Sequence, residues 1–181
     1  MKTRYKWTVE DYHQLVETGL LEGKPVELLE GELIEMSPEG IPHSFTNHSV
    51  ADYLRTLLRN KAFIREAHPI TLDNSEPEPD IAIVRLPDRI YKQHHPYPQD
   101  IYWLIEVSNR TLEKDIKEKT ITYARNGISE YWVIDLPHNK VWVFTQPNQR
   151  SYSRVEEFTT GNISPSAFSD VAIAVKNLLL Y

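Results

Sequence analysis

Residues 101–111, Ile101-Tyr102-Trp103-Leu104-Ile105-Glu106-Val107-Ser108-Asn109-Arg110-Thr111, set five apolar residues in a row and then an acid. A strand covered on both faces reads as such a continuous run, so 101–107 is expected to be a central strand of a sheet. A lone carboxylate taken out of water there is costly unless something pairs with it. Glu106 therefore needs a partner. A basic side chain, a proton and a metal ion are all open at this point.

The flanking segments give the sheet its company. DIAIVRL, with Ile81 and Ile83, reads as a strand, and EYWVIDL and KVWVFTQ flank Pro137-His138-Asn139 as a hairpin. Between the central strand and that hairpin, Thr111 to Asn126 has helical periodicity, with Gly127 as its stop. Upstream, Thr8 caps a short helix that Gly19 ends, and VELLEGELIEM folds as a tight hairpin about Glu30-Gly31. A second helix is expected from His43 to about Asn60, with Val50, Tyr53, Leu54, Leu57 and Leu58 on one face. Residues 87–100 hold three prolines and two adjacent histidines and form an irregular loop. The terminal VAIAVKNLLLY fits a strand or a short helix equally. Helices interspersed with strands in this order imply the α/β class, in its α+β form: a mixed sheet flanked by helices.

The 181 residues are 40% hydrophobic and 25% charged, enough for one core, so a single domain over 1–181 is expected. No segment approaches the ~18 consecutive apolar residues of a membrane span, and MKTRYKWTVEDYH lacks the apolar core of a signal peptide, so a cytoplasmic protein without a membrane partner is expected. The absence of cysteine restricts any metal site to oxygen and imidazole ligands. A net charge of -6 argues against non-specific coating of nucleic acid through a basic surface, but a site that gathers carboxylates around a metal can coexist with an acidic total.

Asp80 opens one strand and Glu106 closes another. If the two strands are antiparallel neighbours, both acids lie at the same edge of the sheet, where they repel unless a cation sits between them. In the following helix Asp115, Lys119 and Tyr123 recur at i, i+4 and i+8, along one stripe, while Ile116, Ile121 and Ala124 are expected to help form the apolar face. Helix side chains lean toward the N-terminus, which directs Lys119 back toward Glu106. The competing reading is a solvated Asp115–Lys119 surface pair worth about 0.3–0.5 kcal/mol.

ELLEGELIEMSP followed by His43, then EPDIAIV, then LIEVSNRTLEKDIKEKTITYARNGISEYWVIDLPHNKVWVF, resemble the Uma family of bacterial proteins, a branch of the PD-(D/E)xK restriction-endonuclease-like superfamily. The resemblance runs from about residue 8 to residue 175 and is most specific at E-V-S, D-x-x-x-K-x-x-x-Y-A and G-I-x-E-Y-W. It implies a restriction-endonuclease-like core with Asp80 and Glu106 as metal-binding acids. Ser108 stands where the superfamily usually has lysine, and similar proteins place that lysine on the next helix, at Lys119 here. Of the N-terminal acids Glu30, Glu32 and Glu35, Glu32 is chosen to complete the site. His43 falls where such proteins carry a histidine at a helix start.

The expectation from these residues is a Mg²⁺- or Mn²⁺-dependent endodeoxyribonuclease in which Asp80, Glu106 and the Val107 carbonyl hold the ion. Lys119 serves the reacting phosphate, Glu32 supports the outer shell, and Tyr123 and Asp115 hold the lysine in place. DNA would be the partner, met by Arg85, Arg89, Lys92, His94 and His95 and by Arg110, Lys114 and Lys117 as a basic rim. A homodimer would supply two sites for two strands. Tyr131, Trp132 and Trp142 are assigned to the core. The rival reading is a catalytically silent scaffold or binding module on the same fold.

Overall fold

The structure, a computed structural model, describes residues 4–109 and 112–180. The chain opens with α1 (Val9–Glu17), fixed by a reciprocal cap in which Asp11 N–H donates to Thr8 Oγ1 and Thr8 N–H to Asp11 Oδ2. β1 (Val26–Leu29) and β2 (Glu32–Glu35) then pair antiparallel across Glu30-Gly31. Both turn residues have positive φ, 50° and 75°, as a two-residue hairpin of this kind requires. A side chain at Gly31 would also meet Lys6 Cβ at 3.0 Å.

α2 (Ile41–Leu57) starts two residues before the expected His43, because Gly40 caps it and Pro42 fits its first turn. β3 (Phe63–Glu66), β4 (Ile81–Val84), β5 (Ile101–Ser108), β6 (Glu130–Asp135), β7 (Lys140–Pro147) and β8 (Tyr152–Phe158) form one six-stranded sheet in that order. β5 lies inside it and is buried along its length except at Tyr102. Every neighbouring pair is antiparallel except β5–β6. A parallel pair needs a crossover, and residues 112–125 supply it as α3 (Leu112–Lys114), a π-helical turn (Asp115–Lys119) and α4 (Thr120–Arg125). Gly127, at φ 73°, ends the crossover: its N–H donates to the Ala124 carbonyl and that of Ile128 to the Tyr123 carbonyl.

The sheet has a core on each face. On one, Val50, Leu54 and Leu58 meet Ile83, Trp103, Ile105 and Trp132, joined by Leu178. Truncating a fully buried leucine such as Leu54 to alanine is expected to cost about 2–5 kcal/mol. On the other face, Ala82, Leu104, Tyr131 and Val133 pack against Tyr123 and Ala124 of the crossover. Alternation along β5 puts Glu106 on this second face, with Leu104.

Two details differ from the sequence reading. Ile121 is not on the apolar face but 37% exposed, while Thr120 and Thr122 are buried. The wider π-turn, closed by i→i+5 bonds, resets the phase of the helix after Lys119. The C-terminal stretch is both alternatives in succession: β9 (Asn162–Ile163) pairs with β10 (Ile173–Ala174), which runs straight into α5 (Val175–Leu179). The fold is a mixed α/β sheet flanked by helices, as its sequence order implies.

Candidate active site

β4 and β5 are antiparallel neighbours, with Ile81 opposite Ile105. The next pair outward is Asp80 and Glu106, so the two acids do stand at one edge of the sheet. The Val107 N–H donates to Asp80 Oδ2 at 2.6 Å, and His43 Nε2 lies 3.0 Å from the same oxygen. Across the gap, Lys119 Nζ donates to Glu106 Oε1 at 2.7 Å and the Tyr123 hydroxyl donates to that oxygen at 2.9 Å. The partner demanded by the buried acid in 101–107 is thus an ammonium from the crossover, and Lys119 itself is only 6% exposed.

These groups line a cleft of about 410 Å³ between the β1–β2 hairpin, the start of α2, the sheet edge and the π-turn. Its wall carries six acids, Glu27, Glu39, Glu78, Asp80, Glu106 and Asp115, against two basic side chains, His43 and Lys119. Burial, reinforced by Asp80 and Asp115, pushes the Glu106 carboxyl up, while Lys119 opposes it. Burial likewise works against the charge on Lys119, but Glu106, Glu27, Asp115 and Asp80 outweigh it and hold the ammonium above its ordinary range. His43 is raised mainly by its hydrogen bond to Asp80, and Glu78 by burial beside Glu27. The cleft therefore holds one firm cation amid an excess of negative charge, a setting that favours a divalent guest.

Of the residues singled out by sequence, Asp80, Glu106, Val107, Lys119 and Asp115 all line this cleft, and Tyr123 reaches it through Glu106. Glu32 does not. It points outward from β2 and pairs with Lys6 at 2.9 Å and Arg4 at 3.6 Å. Glu30 is engaged with Thr122 and Asn74, and Glu35 is exposed. The hairpin acid in the cleft is Glu27, 2% exposed, whose Oε2 accepts the Glu78 N–H at 3.2 Å. Its signal was the one that marked Glu106, an acid embedded in a short apolar strand, here Val26-Glu27-Leu28-Leu29. Glu39 and Glu78 lie in turns and carry no comparable mark.

The basic rim also moves. Asp80 immediately precedes β4, so Arg85, Arg89, Lys92 and His94 follow the far end of that strand, about 17 Å along the chain axis from Asp80 at ~3.3 Å per residue. Arg85 is occupied there by the Gln99 carbonyl and the Tyr102 ring. His95 faces Glu76, and Lys117 pairs with Glu113. Arg110, the helix start at Thr111 and the side chain of Lys114 lie outside the described residues. Tyr131 and Trp132 are fully buried core residues, and the half-covered Trp142 packs against that core.

A mixed sheet with a parallel pair at its centre, acids at the edge of two adjoining strands and a crossover helix over them is a restriction-endonuclease-like core. A crystal structure described as a putative nuclease belonging to DUF820, from Anabaena variabilis ATCC 29413, superposes with a TM-score of 0.69 over 96% of this chain and 97% of that one, at 17% identity. At that identity the likeness speaks for the fold. The chain belongs to the Uma2 family, described as "putative restriction endonuclease", whose profile matches residues 9–176. No curated protein gives a significant sequence match. Family and fold together support a nuclease-like function. Among the described residues, no helix is long and apolar enough to cross a membrane.

Proposed function

We propose that this protein is a metal-dependent endodeoxyribonuclease, with Asp80, Glu106 and the Val107 carbonyl holding Mg²⁺ or Mn²⁺. The observation that carries the reading is the Lys119 ammonium 2.7 Å from Glu106 at the open edge where Asp80 also stands. The donor set fits the ion: hard carboxylate oxygens from separate segments line one cleft, where acids outnumber basic side chains. When bound, the ion would offset charge on the scissile phosphate and make water a better nucleophile at neutral pH.

The side chains divide the remaining work. Val107 N–H and His43 fix the Asp80 carboxylate, so its orientation is set before substrate arrives. Tyr123 does the same for Glu106. Lys119, kept protonated by its acidic neighbours, orients the attacking water and stabilises the negative charge that grows on the phosphoryl oxygens. Glu27 supplies a further carboxylate beside them, the part assigned from sequence to Glu32. Because one cleft cuts one strand, cleavage of a duplex calls for two copies, and a homodimer is part of the proposal.

The test is plasmid cleavage with Mg²⁺ or Mn²⁺ in the buffer. Cleavage should require the ion, vanish in Asp80→Ala and Glu106→Ala, and fall sharply in Lys119→Met. Unchanged cleavage in all three variants removes the assignment.

A further inference from the structure

Arg65 and Lys119 are the buried basic side chains among the described residues, 8% and 6% exposed. Lys119 meets Glu106 at 2.7 Å, whereas no carboxylate among the described residues pairs with Arg65. A buried guanidinium without a counterion is costly, and here its hydrogen bonding is incomplete as well. Nη2 donates to the Pro69 carbonyl over 3.3 Å, and Nε is buried with no acceptor. The Tyr91 ring, 5.6 Å from the guanidinium carbon, supplies a cation–π contact but no negative charge at neutral pH. Burial accordingly works against the charge on Arg65. The acid of this region is already engaged: Glu76 takes His13 at 2.7 Å and the Thr71 hydroxyl at 2.9 Å on Oε2, with His95 3.9 Å from Oε1.

The placement gives this unpaired charge a use. Arg65 stands opposite Ala82 on β4, so its side chain is on the sheet face that carries Glu106. Two residues on, Ala67 lines the cleft, and its N–H donates to the Asp80 carbonyl at 3.0 Å. At ~3.3 Å per residue the Arg65 backbone is about 7 Å from that point, roughly two base steps at ~3.4 Å each along a duplex. His68, exposed beside Ala67, acts electrostatically both on Glu78 in the cleft and on His95, which also senses Arg65. We propose that Arg65, with His95 near it, anchors a site at the border of the cleft that binds a phosphate group. A guanidinium fork matches phosphate oxygens in pairs, so the ligand would give Nε an acceptor, replace the long bond to Pro69 and supply the missing negative charge. A backbone phosphate flanking the one to be cut is the source that the nuclease reading provides. The site would then fix the register of the strand without reading its sequence, and would hold DNA beside a cleft whose own wall is mostly acidic.

This inference deepens the nuclease reading and rests on it for the DNA phosphate, but not for phosphate binding itself. The test compares Arg65→Met, which keeps the length and loses the charge, with Arg65→Lys, which keeps the charge and loses the fork. Binding of a short fluorescein-labelled duplex to the full chain is followed by anisotropy in EDTA, where no cleavage intervenes, over a series of salt concentrations. Arg65→Met should bind about tenfold or more weakly, and its slope of log affinity against log salt should shrink by ~0.9, the loss of one phosphate contact. Arg65→Lys should keep the slope and recover part of the affinity. Arg65→Met should also melt at or above the wild-type temperature, because a buried charge without a counterion is gone. Inorganic phosphate at constant ionic strength should raise the melting temperature of the wild type and not that of Arg65→Met. Should Arg65→Met fail to melt cooperatively, Arg65→Gln takes its place with the same expectations for binding. A phosphate response lost in the variant while DNA binding is unchanged would keep the site and assign it to a free phosphate. A variant that binds DNA and responds to phosphate as the wild type does would overturn the proposal and leave the nuclease reading intact. DNA held through Arg65 by a protein that cuts none with Mg²⁺ or Mn²⁺ would instead sink the nuclease reading and keep this site.

Discussion

β5 and β6 lie side by side, and both bury carboxylates: Glu106 is 3% exposed on the first, Glu130 and Asp135 are 1% and 0% exposed on the second. They are served differently. Glu130 accepts from Trp132 Nε1 at 2.6 Å and from the Ser166 N–H at 2.7 Å. Asp135 accepts from the His138 N–H at 3.2 Å and from Trp142 Nε1 at 3.3 Å, with the His138 ring beside it. Their donors are mostly a few residues away, and neither acid lines the cleft. Glu106 depends on an amine and a phenol from the crossover, with Asp80, Asp115 and Glu27 around the same open space. Burial of a carboxylate is thus a packing solution on β6 and a chemical arrangement on β5. The distinguishing mark is convergence of unlike groups from distant segments on accessible volume.

If that distinction holds, the largest separation between the two strands should appear in activity. Glu106→Ala and Glu27→Gln should lower the rate of Mn²⁺-supported DNA cleavage by about 10²–10³-fold or more, the scale of losing one preorganised charge-stabilising group. Glu130→Gln should leave the rate per folded molecule within a few-fold of wild type. A Glu130 variant as inactive as Glu106→Ala, with a normal melting profile, would erase the comparison.

Stability should separate them next, and pH should expose the reason. Lys119→Met leaves Glu106 buried without its cation, which should cost about 3–5 kcal/mol at pH 8 in ion-free buffer, read from urea unfolding. Burial holds the Glu106 pKa above its unfolded value, so in this variant the folded chain keeps a proton that the unfolded chain has released. Stability is then greatest below the unfolded pKa of 4.5 and falls as pH rises through the folded value. The Lys119→Met penalty should therefore shrink as the buffer is taken from pH 8 toward pH 5. Glu130→Gln should cost less, about 1–3 kcal/mol for disturbed buried hydrogen bonds, with little dependence on pH over that range. A flat profile for Lys119→Met would mean that Glu106 is not the group left uncompensated.

The run at 101–107 made the fold legible because burial on both faces admits few other readings, and the Gly and Asn turns fixed the hairpins around it. Asp80, Glu106 and Lys119 were legible for a related reason: strand alternation and helical spacing convert sequence distance into direction. Sequence distance does not convert into direction where tertiary context sets it. The loop at 87–100 leaves from the end of β4 far from Asp80, which immediately precedes that strand, so following a ligand-bearing strand in sequence does not bring its basic residues to the acids. The π-turn at 115–119 has no periodicity of its own in so short a segment, so regular helical spacing does not show that Ile121 faces outward. Glu39 and Glu78 come from turns, and only the packing of the hairpin against the sheet brings them to Asp80.

The smallest expected effect concerns the hairpin, where Glu27 and Glu32 pose the β5–β6 contrast again within ten residues. Both acids sit in strand residues on the same face of the hairpin, but at different places along it: Glu27 pairs with Ile34 and is buried in the cleft, while Glu32 closes the hairpin opposite Leu29, beside the turn, and meets Lys6 and Arg4 at the surface. Lys6 holds the Glu32 carboxyl below its usual range through an exposed contact, the kind that solvent and salt largely screen. Glu32→Gln should accordingly leave cleavage unchanged and shift the melting temperature by no more than neighbouring surface substitutions do, and what shift there is should fade in high salt. A loss of cleavage in Glu32→Gln as deep as that in Glu27→Gln would mean that the hairpin reaches the cleft in a second arrangement, with its turn swung inward.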